Sequence, residues 1–193
     1  GNLNTARQFL AASGTQTAAL AFGGNPLTGA TEEYNGSSWS SVSSLGTARS
    51  SLAGAPQGTT SSTLAFGGST FTTATEEFTT TIYSPIAATW ASGGNLNTTR
   101  NALSGAGTLT AGLVAGGTSP GVAFETVAEE YNGSSWTNGG SLSVGRKLAA
   151  TVGIQTAGVQ LGGIKAPANT TTNEVEDYNG TAWTGGTSFI VGR

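Results

Sequence analysis

The chain has 193 residues, 36% hydrophobic and only 9% charged, with a formal net charge of −3. No basic cluster marks a nucleic-acid or anionic-membrane partner, and no apolar run is long enough for membrane insertion as a helix. Cys and His are both absent, which excludes disulfides, the usual zinc sites and a Ser–His–Asp relay.

Residues 1–6 read as a stub, because "GNLNTAR" at the start matches "GNLNTTR" at 94–100. Four strands are then expected in the first 45 residues. "RQFLAASGT" (7–15) opens, and "QTAALAFGG" (16–24) alternates with a period of two and stops at a Gly pair. "ATEEY" (30–34) is the third strand and "SSWSSV" (37–42) the fourth. Asn35–Gly36 between them fits a two-residue type I′ turn. No stretch sustains a 3.6-residue period, so almost no helix is expected.

The same series recurs along the chain. Each unit begins with an Arg, at Arg7, Arg49, Arg100 and Arg146, with a fifth at Arg193. A Gly pair follows, at Gly23–Gly24, Gly67–Gly68, Gly116–Gly117 and Gly162–Gly163. Next comes an acidic pair before an aromatic: Glu32–Glu33–Tyr34, Glu76–Glu77–Phe78, Glu129–Glu130–Tyr131 and Glu176–Asp177–Tyr178. A Trp closes the unit, at Trp39, Trp90, Trp136 and Trp183.

A four-stranded sheet of this size cannot bury its faces alone, so neighbouring copies must stack, and radial stacking gives a β-propeller. The expected fold is all-β, with four-stranded antiparallel blades at about 7–45, 46–96, 97–142 and 143–193. Small residues in the opening strands ("LAASG", "LAGAP", "LSGAG", "LAATVG") suit a crowded axis. The Trp residues are expected to pack between blades. One carboxylate of each acidic pair is expected to meet the Arg at a blade junction while its neighbour points the other way.

The order Arg, Gly–Gly, acidic pair with Tyr or Phe, then Trp resembles the kelch repeat, and the resemblance covers essentially the whole chain. The wording of "GNLNTAR", "GTQTAALAFGG" and "TEEYNGSSW" is similar to Thr/Gly-rich kelch-like repeats in predicted tail or structural virion proteins of marine tailed bacteriophages. This resemblance implies a virion or extracellular location. Four repeats permit one closed four-bladed ring, a segment of a larger ring, or two chains sharing an eight-bladed ring. The chain ends at a blade boundary, which favours the single ring. Its lack of Met points to a processed chain or an excerpt of a longer one.

Propeller enzymes of the galactose-oxidase type hold copper with His and Tyr, and this chain has no His. The sialidase Asp-box, an EF-hand spacing and a P-loop are absent as well. The expectation is therefore a non-enzymatic protein without cofactors. Function is sought where the repeats differ. The Tyr/Phe-to-Trp spacing is five residues except in the second repeat, where Phe78 to Trp90 spans twelve. That insert carries Ile82, Tyr83, Pro85 and Ile86, an apolar group on a polar chain. Long segments also precede the acidic pairs of the third and fourth repeats, with Phe124, Ile164 and Lys165 as contact candidates. The leading expectation is a tail fibre, decoration or appendage protein contacting other virion proteins or host-surface molecules, with self-association open to it. A glycan-binding, lectin-like propeller is the first alternative. A kelch-type adaptor is the second, and scarce charge argues against it.

Overall fold

A computed structural model describes residues 1–69, 71–80, 88–188 and 190. The first sheet holds β1 (Ala11–Thr15), β2 (Ala18–Phe22), β3 (Thr31–Tyr34) and β4 (Trp39–Val42), antiparallel and in that order. The second repeats this with β5 (Ala53–Gly54), β6 (Ser62–Phe66), β7 (Thr75–Thr79) and β8 (Thr89–Ser92). The third contains β9 (Ser104–Thr108), β10 (Ala111–Ala115), β11 (Ala128–Tyr131) and β12 (Trp136–Asn138).

The fourth repeat departs from the expected four strands. A ribbon of β13 (Arg146–Lys147), β16 (Ile164–Lys165) and β17 (Thr170–Thr171) accompanies its sheet. That sheet comprises β14 (Ala150–Ile154), β15 (Ala157–Leu161), β18 (Val175–Tyr178) and β19 (Trp183–Gly185). The long segment before Glu176 folds back to pair Lys165 with Arg146. No helix occurs among the described residues.

The sheets meet face to face, and the core lies in the joints between them. Leu20 and Phe22 of the first sheet pack with Leu52, Ala65 and Phe78 of the second. Leu64 and Phe66 meet Leu103, Val114, Tyr131 and Trp136 at the next joint, and Ala106, Leu113 and Ala115 meet Tyr178 and Trp183 at the third. No single sheet owns a core, as expected of repeats that stabilise one another by stacking. The result is an all-β, propeller-like arrangement of four-stranded antiparallel sheets.

The loop from Tyr34 to Trp39 is not a type I′ turn. Those two residues are the last strand pair, so four residues form the loop. Gly36 has φ +93°, whereas Asn35 is not among the residues with positive φ. The Asn35 side-chain oxygen instead accepts from the N–H groups of Ser37 and Ser38, both at 3.0 Å. Asn132 and Asn179 do the same two and three residues on. The asparagine is selected here as a hydrogen-bonding side chain and the glycine for its positive φ.

Candidate functional site: the axial mouth and its struts

Among the described residues, each of the repeat arginines Arg7, Arg49, Arg100 and Arg146 is a buried strut. Arg100 Nη2 donates to Glu129 Oε1 at 2.7 Å, with both side chains fully buried. Its Nη1 donates to the carbonyls of Gly116 and Val127. The second oxygen of Glu129 accepts from the Asn97 N–H at 2.6 Å. The same set recurs at Arg7–Glu32 (3.0 Å), Arg49–Glu76 (2.8 Å) and Arg146–Glu176 (2.5 Å). In all four arginines Nε is buried without a partner. Burial pulls the guanidinium pKa of Arg49 and Arg100 down, and the glutamate beside each opposes that pull. The backbone of the same arginine holds the preceding sheet: the Arg49 carbonyl accepts from Gly24, and those of Arg100 and Arg146 from Gly68 and Gly117. One residue thus braces two sheets, and the first carboxylate of each pair is buried and engaged through both oxygens, one with the arginine and one with a backbone N–H.

The second carboxylate reaches the next sheet. Glu77 accepts from the Tyr131 phenol at 2.5 Å, and Glu130 from the Tyr178 phenol at 2.6 Å. Burial first, and then these bonds, push both phenols up to about 12. Glu33 lacks such a partner because Phe78 stands at the tyrosine position of the second sheet.

The Trp side chains lie in the joints. Trp90 meets Phe22 and Trp136 meets Phe66 edge-on, each with centroids 5.1 Å apart. Their indole N–H groups donate to Thr31 and Thr75. Trp183 lies against Tyr178, and its N–H is buried without an acceptor. Trp39 belongs to the first sheet and packs on its own Tyr34.

Exposed large apolar side chains among the described residues include Phe9, Leu27, Val122, Leu148 and Ile154, of which Phe9 and Leu148 border one cavity beside the inner strands. Two residues after each arginine the backbone turns left-handed: Phe9 (φ 55°), Ser51 (52°), Ala102 (51°) and Leu148 (53°). Four non-glycine residues at positive φ in equivalent places are a repeated departure from ordinary backbone geometry. A backbone ladder joins them: the N–H groups of Ser51, Ala102 and Leu148 donate to the carbonyls of Phe9, Ser51 and Ala102 respectively. The turn pushes Phe9 and Leu148 into solvent, each 53% exposed. They rim a cavity of about 210 Å³ floored by Leu52 and Leu103. A second cavity, about 360 Å³, continues along the inner strands past Ala12, Gly54, Gly105 and Thr151. No titratable side chain lines either space.

Of the contact candidates read from sequence, Ile82, Tyr83, Pro85 and Ile86 lie outside the described residues. Phe124 is half-buried with the Lys147 ammonium 4.8 Å from its ring centroid. Ile164 and Lys165 sit in the added ribbon, where Lys165 pairs with Glu174. Both long segments are tied to the mouth, through Asn101–Thr118 and Arg146–Lys165. Phe9 and Leu148 were missed by sequence reasoning. Their signal is an apolar residue two places after the arginine in "RQFL" and "RKLA". Among the described residues, no group of three or more Asp or Glu is placed to hold a metal ion.

No protein-family model matches the chain, and no curated protein matches it. Among solved structures, it is similar to one described as the structure of YjhT. The TM-score is 0.79 at 11% identity, over the whole of this chain and 69% of the other. At that identity the likeness concerns the fold alone.

Proposed function

We propose that the chain is a non-enzymatic, kelch-like propeller segment that serves as a contact module through its axial mouth. The observation that carries this reading is the mouth itself. Equivalent left-handed turns hold Phe9 and Leu148 exposed over an apolar cavity. Exposed apolar groups on an otherwise polar protein mark contact sites. The carboxylates are committed to arginine or tyrosine partners, or lie away from the cavity. The occupant is an apolar side chain or loop of a protein partner, and the setting is a virion appendage or another extracellular assembly. The latter follows from the Thr/Gly-rich repeat wording.

Kelch-type architecture fits the buried Arg–Glu struts and the inter-sheet Trp positions. The glycan-binding alternative has fewer stacking platforms to draw on, since Trp136 and Trp183 are buried while Trp39 and Trp90 are half-buried.

The test uses an environment-sensitive apolar dye and a glycan array on the wild-type protein and on Phe9→Ser/Leu148→Ser. Dye fluorescence saturating on the wild type and lost in the variant is expected, with no glycan bound. Glycan binding that survives the variant would overturn the proposal in favour of the lectin. The appendage setting is checked separately by seeking peptides of this chain in purified phage particles.

A further inference from the structure

The chain contains four Asn–Gly pairs: Asn35–Gly36, Asn132–Gly133, Asn138–Gly139 and Asn179–Gly180. An asparagine followed by glycine can cyclise. The glycine nitrogen closes a five-membered ring on the side-chain carbonyl carbon, and no glycine side chain obstructs its approach. All four asparagines are exposed, so exposure does not tell them apart. Hydrogen bonding does.

In three of the pairs the asparagine opens the loop after β3, β11 or β18. Asn132 Oδ1 accepts from the backbone N–H groups of Ser134 and Ser135, both at 3.0 Å. Asn35 and Asn179 are held alike. In these loops neither the asparagine Nδ2 nor the N–H of the following glycine makes a hydrogen bond among the described residues. Three requirements of cyclisation are thus met together. The nucleophile is free, the leaving group is free, and two donors point at the oxygen on which negative charge develops. Asn138–Gly139 is the opposite case. Asn138 is the last residue of β12, and its Oδ1 accepts no hydrogen bond among the described residues. The Gly139 N–H donates to the Ala128 carbonyl at 2.9 Å, so attack there requires that bond to open first.

We infer that Asn35, Asn132 and Asn179 are sites of deamidation in the folded protein, and that Asn138 resists it. At Asn132, the Gly133 nitrogen gives its proton to hydroxide and bonds to Cγ, and the carbonyl π pair moves to Oδ1. When that pair returns, the Cγ–Nδ2 bond breaks, and the amine takes a proton from water and leaves as ammonia. Water then adds to either carbonyl of the five-membered imide and opens it to aspartate or isoaspartate. In sum one water is consumed, and one ammonium ion and one carboxylate result. Three such events add three negative charges to a chain whose formal charge is −3. They fall on one side of the molecule, because the third strand of each sheet runs away from the end where the mouth lies.

Peptide mass spectrometry of the folded protein held at pH 8 tests the inference, with fragment ions that separate Asn132 from Asn138. Asn35, Asn132 and Asn179 are expected to convert to a mixture of aspartate and isoaspartate. Asn138 should be at least about tenfold slower, because its strand end must open first. In denaturant the four sites should approach one rate. Asn132→Gln, which moves the carbonyl one bond further from the glycine, should silence that site without slowing Asn35 or Asn179. Asn138 keeping pace in the folded protein would overturn the inference, and so would a difference that persists in denaturant. Loop sites that react in denaturant but stall in the folded protein would overturn it too, since the two N–H donors would then hold the side chain still rather than assist attack.

Discussion

The joint between the second and third sheets and the joint between the third and fourth use the same parts with two changes. At the former, Trp136 meets Phe66 and donates to Thr75 at 3.0 Å. At the latter, Ala115 and Ala128 stand where Phe66 and Thr75 would be, and the Trp183 N–H is buried with no acceptor. A tryptophan in each repeat is therefore not evidence of equal joints. The ring fills volume in both, but only one joint satisfies the polar atom that comes with it. The Arg–Glu strut and the Tyr–carboxylate bond are present at both, so the difference is confined to the aromatic socket.

Removing a strut should exceed anything the sockets can do. Arg100→Ala leaves Glu129 buried beside one backbone N–H pair, and stranding a buried charge costs about 3–5 kcal/mol. Denaturant melts should show a large fall in midpoint. Lys165→Ala removes a partly exposed ion pair with Glu174 and should cost under about 1 kcal/mol. Comparable losses in the two variants would mean that the strut contributes little. It would then have to be replaceable, for example by Arg100→Met paired with Glu129→Leu.

Thr75→Val tests the socket directly. It keeps the shape and deletes the acceptor, making the middle joint resemble the last one. Leaving the Trp136 N–H unpaired should cost about 1–3 kcal/mol. The converse change, Ala128→Thr, offers Trp183 its missing acceptor at a place where Thr31 and Thr75 are accommodated with 1% and 2% exposure. It should stabilise by about 1 kcal/mol. If Thr75→Val is silent, indole hydrogen bonding does not distinguish the joints, and the Phe66 contact does.

The repeat was legible because sheets, joints and struts all follow one order of landmarks, Arg, Gly–Gly, acidic pair and Trp. The four expected strands of the first repeat stand within the ranges read from sequence, shortened at the start, where Phe9 is left-handed and β1 begins at Ala11. The Asn–Gly loop was misread because Asn35 acts through its side chain, which dihedral preference alone does not reveal. The ribbon at Arg146, Lys165 and Thr170 was invisible, since two-residue strands carry no period. Phe9 and Leu148 escaped notice because an apolar residue next to a strand reads as part of it. Its exposure depends on a positive φ that favours glycine, and neither residue is one.

The smallest effect at neutral pH belongs to the tyrosine bonds, and it grows with alkali. Tyr131 keeps its proton up to about 12 in the folded protein, against about 10 in the unfolded chain. The folded state thus holds more protons than the unfolded one between those values. Its contribution is complete below pH 10 and is lost as the pH rises from 10 towards 12. Tyr178 behaves alike. Tyr131→Phe should change stability little at pH 8, because Phe78 already fills this place beside Glu33. Urea midpoints measured at pH 8, 10 and 11.5 should fall less steeply in that variant than in the wild type, and least in Tyr131→Phe/Tyr178→Phe. Parallel slopes in all three proteins would show that the phenols do not set the alkaline limit. Their role at both joints would then be to fill space, as phenylalanine does at the first.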